Sequence, residues 1–488
     1  MAPPFKFLKQ SLNKIQHLSA DASLILKTQN QLLKDYQIHL KKQEKDFVAT
    51  INFVPFKGFS STMLHSLKLE VPLELTNETD TYYLPEHSLL INSHKSNDFD
   101  SYILTGSITQ ITSIEDEKSI ADSYIRLIIP VIHGNPNLSL IHGYVYENDI
   151  NKRHDTLIKI FIEEQEYNFY EIQQNGLYLA IDSLKPLSFE KFKNIVSNIS
   201  NAFGFLTGKL FLDEGYFLFS NTQSFEIIND IYYTTYRDTI ITNYSLYTIN
   251  PFSLYNVTAT TIEGIKEESE EITKWYEKVP GFSPDIFSNL CTMFFQKEAI
   301  SRGAIVLLQG NNLALEIKGS AYSVSLEAIT NQILKDHSIS YPKPIENAEK
   351  ADELIRKLTE VLHGEFNDET EENKTIRRIF GTKIRDMNAP TNADKLSKPF
   401  GIFGYVLKAY EIEVLKGRNL YQHGKLPTKK AEDDAVFKEV YFSCLVLHRL
   451  IATLVLKYAG FKGCIINYPK LHEHITKRVL DEDLFYEI

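Results

Sequence analysis

The stretch Leu157-Ile158-Lys159-Ile160-Phe161-Ile162 decides the fold of the first half of this chain. β-Branched and aromatic residues dominate it, and clusters of Asn, Asp, Gly and Pro bound it, as is typical of a β-strand. The same texture recurs at Ala49–Val54, Leu67–Val71 and Tyr102–Ile108. Several short strands without long helices between them predict an antiparallel, sandwich-like β-rich domain over residues 47–262.

Helical spacing of apolar residues appears on the N-terminal side of these strands. The residues concerned are Phe5, Leu8, Leu12 and Ile15. Ser19–Asp21 offers N-cap chemistry for a second helix through Leu32, Tyr36 and Leu40. These patterns predict an N-terminal helical segment over residues 1–46. A further helix is expected inside the β-rich domain at Ser188–Phe205.

The strand pattern stops after Ile262, and a series of helices is predicted from there to the C-terminus. Their expected ranges are 285–309, 321–336, 346–363, 369–386, 399–423 and 430–459. Glycines lie near most of the helix ends, where a helix commonly stops. The predicted fold class is therefore α+β multidomain, with an all-α helical bundle over residues 263–488.

Composition points to an ordinary globular protein of 488 residues, with 43% hydrophobic and 24% charged side chains. Three cysteines cannot form a closed disulfide set, which favours a reducing compartment. The N-terminus lacks the apolar segment of a secretory signal, and the most apolar run, Leu445–Phe461, is too short and too charged to span a bilayer. We expect a cytoplasmic protein without a membrane partner.

The net charge of -11 lies almost wholly in the first 280 residues, because residues 281–488 hold 28 basic and 28 acidic side chains. A globally acidic chain binds nucleic acid poorly without specific contacts. A neutral C-terminal part, however, can still carry a local basic track.

The hexapeptide Arg418-Asn419-Leu420-Tyr421-Gln422-His423 is the segment that points most directly to a reaction. It ends a predicted helix, and Gly424 follows where a helix stop is expected. A guanidinium can stabilise the charge that develops on a phosphodiester, and an imidazole can transfer a proton near neutral pH. The sequence therefore indicates phosphodiester chemistry at this helix end.

Helical geometry separates the three polar side chains of this motif. Asn419 and His423 are four residues apart and share a face, whereas Arg418 and His423 are about 140° apart around the axis. Two copies meeting about a symmetry axis would bring both arginines and both histidines into one cleft. A looser match, Arg126 to His133, lies in a strand-like stretch, and we interpret it as coincidence.

Together, the motif Arg418-Asn419-x-x-x-His423-Gly424 and the helical domain around it resemble the ribonucleases of the HEPN superfamily. The β-rich half before a helical half is similar to ApeA-type HEPN proteins of bacterial antiphage defence. The resemblance implies a homodimeric, metal-independent endoribonuclease without cofactors. It also implies an abortive-infection toxin that is activated by a phage-encoded trigger and cleaves RNA, often the anticodon loop of tRNA. Glu411 and Glu413 are candidates for the acidic residue sometimes found upstream.

The chemistry expected of this site requires only groups that the motif and RNA supply. The ribose 2′-OH is the nucleophile, His423 is the general base or acid, and Arg418 stabilises the pentacoordinate phosphorus. Asn419 orients the phosphate or the imidazole. The products would carry 2′,3′-cyclic phosphate and 5′-OH ends.

Several basic side chains are candidates for holding the RNA backbone. Those just after the motif are Lys425, Lys429 and Lys430, and those on a predicted helix further upstream include Arg377 and Arg378. A solvated helix face is the favoured interpretation of the second group.

Two further function classes stay open. One is a non-catalytic RNA-binding or dimerisation protein whose β-rich domain senses a ligand. The other is a metal-dependent nuclease. Cys444 and His448, four residues apart on one predicted helix, permit a zinc site in principle, but their apolar surroundings favour core packing.

Overall fold

The computed structural model describes most of the chain. The described residues are 7–27, 36–44, 46–54, 73–98, 101–116, 122–147, 154–236, 238–254, 260–279, 281–338, 343–389, 392–422 and 433–488. The strand predicted at Leu67–Val71 lies outside these ranges, as do His423, Lys425, Lys429 and Lys430.

Strands dominate the described part of the first 241 residues. They are β1 Ala22–Lys27, β2 Tyr36–Gln43, β3 Asp46–Phe53, β4 Leu73–Thr76, β5 Thr81–Leu84, β6 Leu89–Asp98, β7 Ser101–Ile108, β8 Gln110–Thr112, β9 Tyr124–Pro130, β10 Tyr144–Glu147, β11 His154–Ile162, β12 Gln165–Gln173, β13 Leu177–Ser183, β14 Lys209–Leu210, β15 Glu214–Ser220, β16 Asp230–Thr235 and β17 Ile240–Ile241. A final pair near the C-terminus is β18 Cys464–Ile466 and β19 Phe485–Glu487. Strands β3, β7 and β11 confirm the predictions made at Ala49–Val54, Tyr102–Ile108 and Leu157–Ile162.

Fifteen of these strands join one antiparallel sheet. Its order is β10-β11-β12-β13-β9-β15-β16-β8-β5-β4-β1-β2-β3-β7-β6. Hydrogen bonding among the described residues thus connects the strands continuously, rather than in the two separate sheets of a sandwich. The antiparallel β-rich character of the N-terminal half is confirmed.

The second predicted N-terminal helix is wrong, because strands β1 and β2 occupy its place. Leu24 and Leu26 are buried in β1 while their neighbours face outward, and Ile38 and Leu40 repeat the pattern in β2. The burial period is therefore two, as in a half-buried strand, and the spacing that resembled a helix was accidental. The first helix, α1, is present at Leu8–Ser19.

Helices follow the sheet region, with one inside it. They are α2 Phe189–Thr207, α3 Ile262–Lys278, α4 Pro284–Gln296, α5 Glu298–Gly310, α6 Leu315–Asp336, α7 Ala348–Glu365, α8 Glu371–Arg385, α9 Asn392–Ile402, α10 Ala409–Gln422, α11 Asp433–Tyr458, α12 Tyr468–Leu471 and α13 Glu473–Thr476. Short 3-10 turns lie at Leu138–Leu140, Pro251–Ser253 and Asp386–Asn388. Helix α2 confirms the prediction at Ser188–Phe205.

Two predicted long helices are each divided in the structure. The range 285–309 contains α4 and α5, which break at Lys297. The range 399–423 contains the end of α9 and the whole of α10. Gly404 separates them with φ +69°, a conformation that glycine adopts without strain. The C-terminal region is also not wholly helical, because β18 and β19 pair within it. The chain is a mixed α+β protein.

Contacts divide the chain into two compact units. The first comprises the described residues up to Asn312 together with Ala459–Ile466 and Phe485–Glu487. It contains the large sheet and helices α1–α5. The second comprises Leu313–Tyr458, Asn467–Leu484 and Ile488, in so far as they are described, and contains α6–α13. The division falls after residue 312, beyond the boundary predicted at residue 262.

Helix α11 forms the apolar centre of the helical unit. Over Asp434–Tyr458 it is long and apolar enough to cross a membrane by length and composition alone, and most of that stretch is buried within the chain. The core helix of a globular protein has the same length and composition, so these properties of α11 do not indicate where the protein is located.

Candidate functional site

Helix α10 carries the motif, and its buried face begins and ends with a charged residue. Glu411, Val414, Leu415 and Arg418 are buried and recur at steps of three and four residues, so they form one stripe along the helix. Helix α10 packs against α6 and α11. Arg418, one turn before the end of α10, therefore points into the helical unit and is 2% exposed.

Among the described residues, one carboxylate lies beside the Arg418 guanidinium. Its Nη1 lies 3.4 Å from Oε2 of Glu327 on α6, whose side chain is 48% exposed. This distance is longer than the 2.7–2.9 Å of a strong charge-assisted hydrogen bond. The Nε atom of Arg418 is buried without a hydrogen-bond partner among the described residues. The long contact with a half-exposed carboxylate offsets only part of the hydration that the Arg418 guanidinium loses on burial. An anionic ligand would offset the rest.

The remaining candidate residues of the motif are less completely described. Asn419 lies within α10 on the turn after Arg418, and only its backbone is described. His423, Lys425, Lys429 and Lys430 lie outside the described residues. The structure therefore brings Arg418 together with Glu327, a residue that the sequence patterns did not identify. No local pattern marks Glu327, because it lies on another helix, 91 positions earlier in the chain.

The two upstream acidic candidates have different surroundings. Glu411 is fully buried and accepts hydrogen bonds from Arg449 Nη2 at 2.7 Å, from the Tyr405 hydroxyl at 2.7 Å and from the backbone N–H of Lys408 at 2.8 Å. Lys408 directly precedes α10, so Glu411 also caps the first turn of that helix. Its carboxylate is satisfied by the fold. Glu413 is exposed on α10.

Arg449 of α11 is the centre of a buried polar cluster that fixes α10 in place. It donates to Glu411 at 2.7 Å, to Asn467 Oδ1 at 2.7 Å and to Glu482 Oε2 at 2.6 Å, and it contacts the Tyr410 hydroxyl. Burial by itself would lower the pKa of Arg449, but Tyr410, Glu482 and Glu411 together raise it. The guanidinium therefore stays charged, and the carboxylates of Glu411 and Glu482 surround it with negative charge.

Glu482 is the second carboxylate of this cluster. It accepts hydrogen bonds from Lys408 Nζ at 2.7 Å and Asn467 Nδ2 at 2.9 Å, and it contacts Tyr410. Burial tends to raise the pKa of Glu482, but Arg449 and these hydrogen bonds outweigh that effect and lower the pKa to about 2. The cluster joins α10, α11 and the segment after α13 into one unit.

Cys444 and His448 are core residues of α11, as their apolar surroundings predicted. His448 is 1% exposed and lies between the rings of Tyr322 and Tyr468, with centroid distances of 6.0 and 5.5 Å. Burial, with a smaller contribution from Lys318, lowers the pKa of His448 to about 3. Burial raises the pKa of the Cys444 thiol to about 12. Within the described residues, no three His, Cys, Asp or Glu side chains are grouped in a metal-binding arrangement.

The basic candidates on α8 lie on an exposed helix. Arg377 Nη2 donates to Glu369 at 3.1 Å, and Lys374 pairs with Glu371 at 3.1 Å. Arg378 is exposed. The acidic residues at the start of the helix thus pair with part of its positive charge.

Arg126, the looser motif match, is a structural residue of the sheet. Its side chain is fully buried and forms two hydrogen bonds with Asp182, at 2.7 and 2.8 Å, and one with Ser11 of α1 at 2.9 Å. The ring of Phe225 lies 4.2 Å from the guanidinium carbon. These contacts join α1 to β9 and β13.

No family model, no curated protein and no solved structure matches this chain.

Proposed function

We propose that this chain is a metal-independent endoribonuclease of the HEPN type, with Arg418, Asn419 and His423 as its catalytic residues. The observation that carries the proposal is the state of Arg418. It is 2% exposed, and its one ion pair among the described residues is a long contact with a half-exposed carboxylate. A guanidinium in this state is suited to a phosphate oxyanion.

The proposed reaction is an internal transesterification of RNA. The 2′-OH loses its proton to an imidazole and attacks the adjacent phosphorus, which forms the O2′–P bond. The P–O5′ bond breaks, and a second imidazolium protonates the leaving 5′ oxygen. His423 and the same histidine of a second copy supply these two roles. Arg418 neutralises the charge that develops on the phosphorus-bound oxygens, and Asn419 orients the phosphate.

The biological role we propose is an abortive-infection toxin in the bacterial cytoplasm. A phage-encoded trigger would release the activity, and the β-rich unit would serve as its sensor. The proposed substrate is tRNA cleaved in the anticodon loop, with Lys425, Lys429, Lys430, Arg377 and Arg378 as backbone contacts. An uncontrolled ribonuclease would kill its host, so restraint before infection is part of the proposal.

The deciding experiment compares wild type with His423→Ala and with the control His363→Ala, an exposed histidine in the last turn of α7. Cells are challenged with phage, and growth, RNA integrity and new 5′-OH ends are measured. We expect protection and RNA cleavage from wild type and His363→Ala but not from His423→Ala. Equal protection and equal RNA patterns from all three proteins would refute the proposal. Cleavage by the purified protein should also be indifferent to EDTA, whereas a metal-dependent nuclease would be inhibited.

The low exposure of Arg418 favours one second candidate, a non-catalytic RNA-binding or dimerisation protein. A guanidinium buried beside Glu327 can serve packing alone. Tight RNA binding without cleavage by the activated protein would identify this function.

A further inference from the structure

Arg418 is the exception among the three buried arginines that the structure describes. Arg126 is held by Asp182 through two hydrogen bonds of 2.7 and 2.8 Å, and both side chains are 0% exposed. Arg449 is held by two carboxylates whose side chains are at most 3% exposed. The arginines that anchor the fold are thus paired at short distance with buried acids. The contact between Arg418 and Glu327 has neither property.

Glu327 lies on the outward side of α6. Its side chain is 48% exposed, and Val324, three residues earlier, is 53% exposed. Leu326 and Ile329, which lie on the core side of the same helix, are 0% exposed. The carboxylate therefore reaches Arg418 from the edge of the helix and stays in contact with water. It can leave the guanidinium by a change of side-chain rotamer, without a movement of α6.

The contact between Glu327 and Arg418 resembles a surface ion pair more than a buried one. At 3.4 Å it is longer than a strong charge-assisted hydrogen bond, and water competes for the exposed carboxylate. A phosphodiester, by contrast, offers two non-bridging oxygens to which a guanidinium binds in a bidentate way. Glu327 therefore neutralises Arg418 while no ligand is bound, and a phosphate is able to replace it.

The position of the Glu327 carboxylate determines the charge that an approaching anion meets. While the carboxylate faces the guanidinium, the anion meets a pair whose charges cancel. Once the carboxylate has turned away, the anion meets a single positive charge. Arg418 is 2% exposed, and electrostatic attraction is stronger where water is largely excluded. One side chain thus sets the affinity of this site for anions.

We propose that Glu327 is an internal inhibitor of the Arg418 site, and that its carboxylate competes with the RNA phosphate for the guanidinium until the protein is activated. Displacement of the carboxylate makes Arg418 available to the phosphate. The restraint on cleavage rests on the proposed function, because it requires that Arg418 acts on RNA. The competition between Glu327 and a phosphate anion does not rest on that function, and it is measured separately.

The first test measures the affinity of the full-length protein for inorganic phosphate by isothermal titration. Glu327→Gln is compared with wild type and with Glu316→Gln, which removes an exposed acid from the same helix. We expect the phosphate affinity to rise about two- to fivefold in Glu327→Gln, as for the loss of a half-exposed ion pair, and to stay unchanged in Glu316→Gln. In an Arg418→Met background, Glu327→Gln should have no effect. No rise in Glu327→Gln, or an equal rise in Glu316→Gln or in the Arg418→Met background, overturns the proposal.

The second test measures tRNA cleavage by the purified protein without a trigger, and RNA cleavage in phage-infected cells. Before activation, Glu327→Gln should cleave about two- to fivefold faster than wild type and Glu316→Gln. Equal rates before activation overturn the proposal. Slower cleavage by Glu327→Gln in infected cells also overturns it, because Glu327 would then position Arg418 for the reaction. If no protein cleaves RNA in infected cells although Glu327→Gln binds phosphate more tightly, the proposed function fails and the competition at Arg418 stands.

Discussion

Two buried arginines of the helical unit, Arg449 and Arg418, have very different surroundings. Arg449 is bonded to two carboxylates and an amide at 2.6–2.7 Å, and the side chains of both carboxylates are at most 3% exposed. Within the part of the chain that the structure describes, Arg418 has one ion pair, at 3.4 Å, with a carboxylate that is 48% exposed. Both guanidinium groups are removed from water, but among the described residues only the first forms short ion pairs. Burial of an arginine therefore says little about its role, whereas incomplete compensation marks it as available to a ligand.

The sharpest test of this comparison is Arg449→Met. Removing the guanidinium leaves Glu411 buried without a cation and Glu482 with Lys408 alone, so we expect the free energy of unfolding to fall by about 3 to 5 kcal/mol. Urea unfolding followed by circular dichroism measures the loss. The matched control is Arg302→Met, because Arg302 is 78% exposed and a change there should stay within about 0.5 kcal/mol. A loss below about 1 kcal/mol would show that the cluster is not a structural clamp.

Arg418→Met should have the opposite effects: a large loss of activity and little loss of stability. We expect RNA cleavage to fall by about 100- to 1,000-fold, because one stabilising donor is lost in the transition state. Stability should change by less than about 1 kcal/mol, since methionine fills the site and Glu327 remains in contact with water. Single-turnover cleavage and urea unfolding measure the two quantities. Lys416→Met, an exposed cation on the same helix, serves as the control. A large stability loss with intact cleavage would reverse the assignment of the two arginines.

Acid should weaken the Arg449 cluster through Glu482. The folded-state pKa of about 2 lies below the usual value of 4.5, so the group stabilises the fold above pH 4.5 and this contribution is lost as pH falls toward 2. We expect a loss of about 2 to 3 kcal/mol over that interval. Unfolding free energies measured at successive pH values should therefore decline less steeply in Glu482→Gln than in wild type. Identical slopes would contradict the prediction.

The smallest expected effect is that of Glu327→Gln. The contact it removes is long and half-solvated, so stability should change by less than about 1 kcal/mol. The affinity for inorganic phosphate should rise several-fold, because Arg418 loses its neutralising carboxylate. Isothermal titration measures the affinity, and Glu316→Gln, an exposed acid on the same helix, is the control. Unchanged phosphate affinity would mean that Glu327 does not compensate Arg418.

Prediction from the sequence succeeded where local patterns determine the secondary structure. The strands at β3, β7 and β11 and the helix α2 follow from residue type and periodicity over short windows. It failed at β1 and β2, because pairing with distant strands selects the period-two burial of residues that also fit a helix. The division of the range 399–423 was missed for a related reason, since Gly404 was not recognised as a left-handed break.

The candidate site was also predicted from the sequence only in part. The residue types of the Arg418–His423 motif and their spacing at a helix end are properties of the sequence, and so is the chemistry they permit. Which arginine forms short ion pairs and which forms only a long one was decided by tertiary structure alone. Glu327, Asn467 and Glu482 lie outside α10 and α11, and only packing brings them within hydrogen-bonding distance. Compensation of a buried charge depends on distance through space, and no periodicity along the chain encodes it.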